Sequence, residues 1–261
     1  MKTYSLILSI LLLLTKHTIK SFVHPVSLHN TNDFLERKKN KKIITISPGG
    51  LAGFYMLGII TYINENYDTS QFDILGASAG AWNTLPMVYN GPINTIVTDI
   101  LVNYQHIDDQ NEVTSIYQLQ SNLKNLLLEN YEDKHFDLER ANIATTCITK
   151  TGFEQIIISD ITTLEQATDC CIASSHIPFI TGKGVPKINN KRLFDGGFDK
   201  FPPTELEHCL NISPNMWGTD LTPHFKELLN IKNLRTFEGF YQKGYYESKN
   251  NRNILDYFLL N

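Results

Sequence analysis

Apolar positions along this chain follow two different periods. Ile43-Ile44-Thr45-Ile46 is a short β-branched run that reads as a buried strand. Phe72 to Leu75 is a second apolar run with one acid in it. Ala141 to Thr149 and Phe153 to Ser159 read as a strand pair turning at Lys150-Thr151-Gly152. Lys191 to Phe194 reads as the second arm of a hairpin turning at Asn189-Asn190. Between these runs the period becomes helical. Leu51, Phe54, Tyr55, Leu57 and Ile59 follow the first strand, and Ile93 to Tyr104 and Ile116 to Leu127 repeat the spacing. Thr163 to Ala173 predicts a helix capped by Thr162 or Thr163. Thr222 to Lys243 carries Phe225, Leu228, Leu229, Leu234, Phe237 and Tyr241 at roughly helical spacing. The last apolar stretch, Ile254 to Leu260, is expected to pack on the domain. Strands alternating with helices predict an α/β fold, a mainly parallel central sheet with helices on both faces. Ligands in such sheets bind beyond the C-terminal strand ends.

Two glycine-rich turns fall at those ends. Gly76-Ala77-Ser78-Ala79-Gly80 reads G-x-S-x-G between a strand and a helix, the context of a nucleophile elbow. Small neighbours let the chain turn and a carbonyl approach. The helix N-terminus offers N–H groups where an oxyanion would form. Ser47-Pro48-Gly49-Gly50-Leu51-Ala52-Gly53 joins another strand to another helix. Such a loop can aim backbone N–H groups at an anion, or simply turn the chain. Asp195-Gly196-Gly197 follows the hairpin arm, and its carboxylate either reaches a cleft or closes an Asx-turn. A serine, a carboxylate able to serve as its base and a set of N–H donors form the minimum for acyl transfer through a covalent ester.

These three motifs, in this order, resemble the patatin-like phospholipase family. The resemblance spans roughly Ile43 to Pro203. Ala173-Ser174-Ser175-His176-Ile177-Pro178-Phe179 and Phe54-Tyr55 are similar to the triglyceride-lipase-like branch. It implies a single-domain patatin-like fold and a Ser-Asp dyad without histidine. Ser78 is then the nucleophile and Asp195 the base. Gly49, Gly50 and Leu51 form the oxyanion hole, and Gly53, Gly76, Gly80, Gly196 and Gly197 are motif glycines. The implied activity is lipid acyl hydrolysis, of phospholipase A or triacylglycerol lipase type. Its substrate is a glycerolipid or phospholipid at a membrane or lipid-droplet surface, and it needs no metal or other cofactor. Pro48 stands where the family usually has its first loop glycine, and proline has no N–H to donate. Phe201-Pro202-Pro203 stands where the family often has asparagine before the proline.

Two other readings stay open. One is an α/β-hydrolase triad of Ser78, Asp195 and either His208 or His224. The other is a lipid-binding protein of this fold with weak catalysis. The net charge of −4 over 261 residues implies no basic field for nucleic acid. Cys147, Cys170, Cys171 and Cys209 show no zinc or disulfide spacing and read as core or surface thiols. Lys2 followed by the apolar run Tyr4 to Leu14 predicts a signal peptide or signal anchor over 1–21. Residues 22–42, with Arg37-Lys38-Lys39-Asn40-Lys41-Lys42, read as a basic linker or transit segment. The acyl hydrolase domain is then 43–261, with its motif-bearing core at 43–203. The expected location is a membrane or the secretory pathway, or a plastid in an algal host.

Overall fold

The computed structural model describes residues 21–22, 25–110, 116–178, 181, 184–198, 200–203, 206, 210–218 and 237–260. The N-terminal apolar run, Phe179, His208, Cys209, His224 and the apolar positions of 222–236 lie outside the described residues. Among the described residues nine strands form a mixed sheet: β1 (Ser21–Phe22), β2 (Ser27–Asn30), β3 (Lys42–Ile46), β4 (Phe72–Ala77), β5 (Ala141–Ile148), β6 (Phe153–Ser159), β7 (Lys187–Ile188), β8 (Lys191–Phe194) and β9 (Asn211–Ile212). Their order is β1-β7-β8-β5-β4-β3-β9, with β6 also on β5 and β2 on β6. At the centre β9, β3, β4 and β5 run parallel, as the strand-helix alternation predicts. The hairpins β5/β6 and β7/β8 add antiparallel strands at the flank. Both asparagines of the β7/β8 turn have positive φ, 47° and 64°, which a two-residue hairpin turn with the right twist requires.

Helices cover both faces: α1 (Thr31–Arg37), α2 (Gly53–Asn66), α3 (Ala79–Met87), α4 (Ile93–Gln110), α5 (Ile116–Asn130), α6 (Leu164–Ser174), α7 (Phe237–Asn250) and α8 (Arg252–Leu259). Helix α2 is buried nearly all round, from Phe54 to Ile63, because α7, α3 and α4 pack around it in the main core cluster. The two helices touch backbone to backbone. A Cβ on Gly58 would come within 2.0 Å of the Tyr241 carbonyl oxygen, and one on Gly244 within 2.0 Å of that of Tyr55. Phe54 stacks on Phe237 with ring centroids 4.3 Å apart, tying the start of α7 to the start of α2. Helix α6 begins in a capping box, with Thr163 and Gln166 exchanging bonds. In α8, Leu255 and Leu259 pack inward while Tyr257 and Leu260 face out. Cys147, Cys170 and Cys171 are free buried thiols. No helix among the described residues is long and apolar enough to cross a membrane.

Residues 22–42, which the charge run marks as a linker, carry β2 and α1 instead. Asn30 caps α1 by accepting from the Asp33 N–H at 2.9 Å, and β2 pairs along β6. Phe34 is fully buried in a small cluster with Ile43, Leu75, Ala77, Ala144 and Ile157. The lysines and Arg37 mask this pattern because a seven-residue helix needs only one apolar anchor. Phe34→Ala should therefore destabilise the protein by about 3–5 kcal/mol. In thermal unfolding that is a fall in Tm of roughly 6–20 °C for a domain of this size. A change under 2 °C would mean that the segment is not part of the cooperative fold.

Candidate functional site

One edge of β5 sets the site. Its first half pairs with β4, with Ala77 opposite Ala144. Its second half pairs on with β8, with Phe194 opposite Thr146. β4 runs parallel to β5 and β8 antiparallel, so the two enter one lane from opposite ends. Continuing each register by one residue brings Ser78 and Asp195 to the same position, beside Thr145. Two residues that are distant in sequence thus meet because two strands share an edge.

Ser78 sits at φ 55°, ψ −120°, between β4 and α3. That backbone is strained for a residue with a side chain, of order 1–3 kcal/mol, and the surroundings must enforce it. They do so through close packing. A Cβ on Gly76 would meet the Gly80 carbonyl oxygen at 2.3 Å, and one on Gly80 would meet that of Ile46 at 2.0 Å. The Ser78 N–H donates to Ser174 Oγ at 2.8 Å, and that hydroxyl donates to the Ala144 carbonyl at 2.6 Å. The Ser174 carbonyl accepts from the Gly196 N–H at 2.8 Å. Ser174 at the end of α6 therefore holds both turns. Its holding role was not legible in the sequence, where Ser174 belongs to the Ala173–Phe179 run with no sign of what its hydroxyl meets.

Asp195 is held from three sides. Its N–H donates to the His176 carbonyl at 2.9 Å, and its own carbonyl accepts from Thr146 Oγ1 at 2.7 Å. Its Oδ1 accepts from the Gly197 N–H at 2.8 Å, the Asx-turn expected of this motif. Its Oδ2 is buried and has no hydrogen-bond partner among the described residues. Burial pushes the carboxyl up to about 6, against the nearby Ser78 hydroxyl and the Gly197 N–H, which both lower it. The Ser78 hydroxyl is thus within electrostatic reach, although no hydrogen bond of ordinary length joins the pair. Such contacts commonly tighten only when substrate is bound.

The glycine loop faces the same place. Gly50 adopts φ 52°, left-handed backbone that glycine takes freely, and leads into a single 3-10 turn over Gly50–Ala52. The backbone N–H groups of Gly49, Gly50 and Leu51 donate to no acceptor among the described residues, and neither does that of Ala79 at the start of α3. All four residues line one cavity with Ser78 and Asp195. Pro48 lines it too, and packs against the Asp-Gly-Gly turn: a Cβ on Gly197 would lie 2.5 Å from Pro48 Cγ. The first loop position therefore supplies packing in place of an N–H.

The cavity holds about 380 Å³ and runs along α3 from Ser78 past Trp82 to Pro86. Phe54 and Leu57 of α2, Ile100 of α4 and Leu123 of α5 give it apolar walls. His176 is buried away from Ser78, its Nε2 on the Gly184 carbonyl at 2.7 Å and Nδ1 3.3 Å from Thr181 Oγ1. It ties Thr181 and Gly184 to the end of α6.

No protein-family model matches the chain. Over 207 residues, 76% of this chain, it is 24% identical to patatin-like phospholipase domain-containing protein 2 of Mus musculus. The bovine protein of that name is 21% identical over 198 residues, 74% of this chain. These relatives are patatin-like. The likeness supports the patatin-like family, which also fits the α/β sheet with helices on both faces. A third relative, 24% identical over 183 residues and 68% of this chain, is named 1-acylglycerol-3-phosphate O-acyltransferase PNPLA3, of Homo sapiens. The chain spans only 42%, 40% and 38% of the lengths of the murine, bovine and human proteins.

The placement of Ser78 and Asp195 sets two expected outcomes. At pH 7 the Asp195 carboxylate is charged in both folded and unfolded chains, and only the folded chain bears the burial penalty. Asp195→Asn should therefore raise Tm at pH 7. The gain should shrink as pH falls from about 6 to about 4, where the acid is neutral in both states. A gain independent of pH would show that the carboxylate is not desolvated. Ser174→Ala leaves the Ser78 N–H without its acceptor. It should slow covalent labelling of Ser78 by a fluorophosphonate roughly tenfold or more, about 1.4 kcal/mol, in a protein that still folds. Labelling at the wild-type rate would remove Ser174 from the positioning role.

Proposed function

We propose that the protein is a lipid acyl hydrolase of the patatin-like type, nearest the triglyceride-lipase-like branch, working through a Ser78–Asp195 dyad. The observation that carries this reading is the meeting of Ser78 with a partnerless buried carboxylate oxygen at one end of an apolar cavity. As Ser78 Oγ attacks the ester carbonyl carbon, Asp195 Oδ2 takes the hydroxyl proton. The oxyanion settles against the N–H groups of Gly49, Gly50, Leu51 and Ala79. The Ser78 N–H is already given to Ser174, so the glycine loop carries most of this load. A preorganised donor in such a hole contributes about 3–4 kcal/mol. The carbon–oxygen bond to the alcohol then breaks, and Asp195 returns its proton to the leaving oxygen. Water attacks the acyl-enzyme, gives its proton to Asp195, and the acid leaves as Ser78 regains it.

Acyl transfer needs the same first half, with a lipid hydroxyl replacing water in the second. The name of the human relative makes this the alternative to measure.

Ser78→Ala should lower hydrolysis of a 4-nitrophenyl acyl ester by roughly 10³-fold or more and abolish fluorophosphonate labelling. The fold should survive, since a small side chain replaces a small one. Mass spectrometry of products from glycerolipid and phospholipid panels would separate hydrolysis from transfer. Substantial turnover by the folded variant would take Ser78 out of the nucleophile role.

A further inference from the structure

The walls of the cavity are apolar except at a few points, and some polar atoms there meet no partner among the described residues. Asn83 is 6% exposed and belongs to the α3 face that lines the cavity. Its Nδ2 donates to the Gly53 carbonyl at 2.9 Å, which fixes the amide. Its Oδ1, on the other side, meets no donor among the described residues and is not sealed off by protein. Tyr104 of α4 is 9% exposed and lines the same cavity. Its ring stands edge-on to Phe54 at 4.8 Å and Phe237 at 6.1 Å. Its hydroxyl bonds no described residue, and burial alone pushes its titration upward. Gln120 of α5 also lines the cavity, its Nε2 held by Ser175 Oγ at 3.0 Å and its sealed Oε1 without a partner among the described residues. The wall is thus short of donors.

A site built around polar groups that the protein leaves unpaired favours the ligand that pairs them. Asn83 lies on the α3 face that also carries Ala79, Trp82 and Pro86, about 6 Å along the axis from Ala79 beside Ser78. An acyl chain esterified at Ser78 and running along α3 passes it part-way down. We propose that this cavity selects acyl chains bearing a mid-chain hydroxyl, whose proton goes to Asn83 Oδ1 and whose oxygen accepts from the Tyr104 hydroxyl. A ketone at the same carbon can accept from Tyr104 but cannot supply the missing donor, so the hydroxyl is the better match. The proposal rests on the reading of Ser78 as the acyl-bearing nucleophile and names the class of acyl group.

The test uses 4-nitrophenyl decanoate and its mono-hydroxy and mono-keto derivatives, with the substituent moved from the third carbon to the ninth. Wild-type kcat/KM should peak at one hydroxyl position, roughly tenfold or more above the plain chain, with the ketone between. Tyr104→Phe deletes a hydroxyl that bonds no described residue of the free protein. It should reduce the ratio of hydroxylated to plain ester about tenfold. In parallel, calorimetric binding of the free hydroxy acid and plain decanoic acid to Ser78→Ala reads the cavity without catalysis. Tighter binding of the hydroxy acid, lost in the Ser78→Ala/Tyr104→Phe double variant, supports the proposal even if no ester is cleaved, and the hydrolase reading then fails alone. No preference for a hydroxyl, or a preference that Tyr104→Phe leaves intact, overturns it and leaves these groups to ordered water.

Discussion

Everything at the site depends on the register of one strand edge. β5 accepts β4 along its first half and β8 along its second, so the ends of those strands must face each other across Thr145. Neither Ser78 nor Asp195 can move along its strand without breaking ladder bonds and turning core residues such as Ala77 and Leu193 outward. The serine hydroxyl and carboxylate are therefore positioned by the sheet, not by mobile loops. Ser174 then locks the two turns together from the third direction, through one hydroxyl and one carbonyl.

That rigidity permits features that would be untenable elsewhere. A serine is held at positive φ, and a carboxylate is buried with one oxygen unpaired. Both oppose stability, and both suit the proposed roles of nucleophile and base. A raised carboxyl accepts a proton more readily near neutral pH than an ordinary aspartate does. The glycine loop supplies N–H groups that no described protein acceptor has claimed. The surrounding parallel strands and buried α2 form the large apolar core that offsets these costs.

Much of this was legible in the chain, because its signals are local. The β-branched run at Ile43–Ile46 has to be buried, Asn189-Asn190 has to turn, and a small-residue pentad around Ser78 has few other uses. The Thr163 cap announces α6 one residue before it begins. What stayed hidden was non-local. Nothing near Ser174 says that its hydroxyl will meet Ser78, since that depends on where α6 lies against β4 and β5. The charge run before Lys42 outweighed the single buried Phe34, and so β2 and α1 were missed. The end-on meeting of β4 and β8 is likewise a property of the whole sheet.

The contact between α2 and α7 has a consequence of another kind. At Gly58 and Gly244 each helix backbone rests directly on the other, with no side chain between to adjust. Drift at most core positions can be absorbed by a neighbour changing in size. Here there is nothing to resize, because the obstacle on each side is a peptide group. Lineages descending from this sequence can exchange most of the surface of α7 freely, yet they carry these two glycines as fixed characters. Their invariance would reflect geometry, and would be misread as catalysis by anyone counting conserved residues.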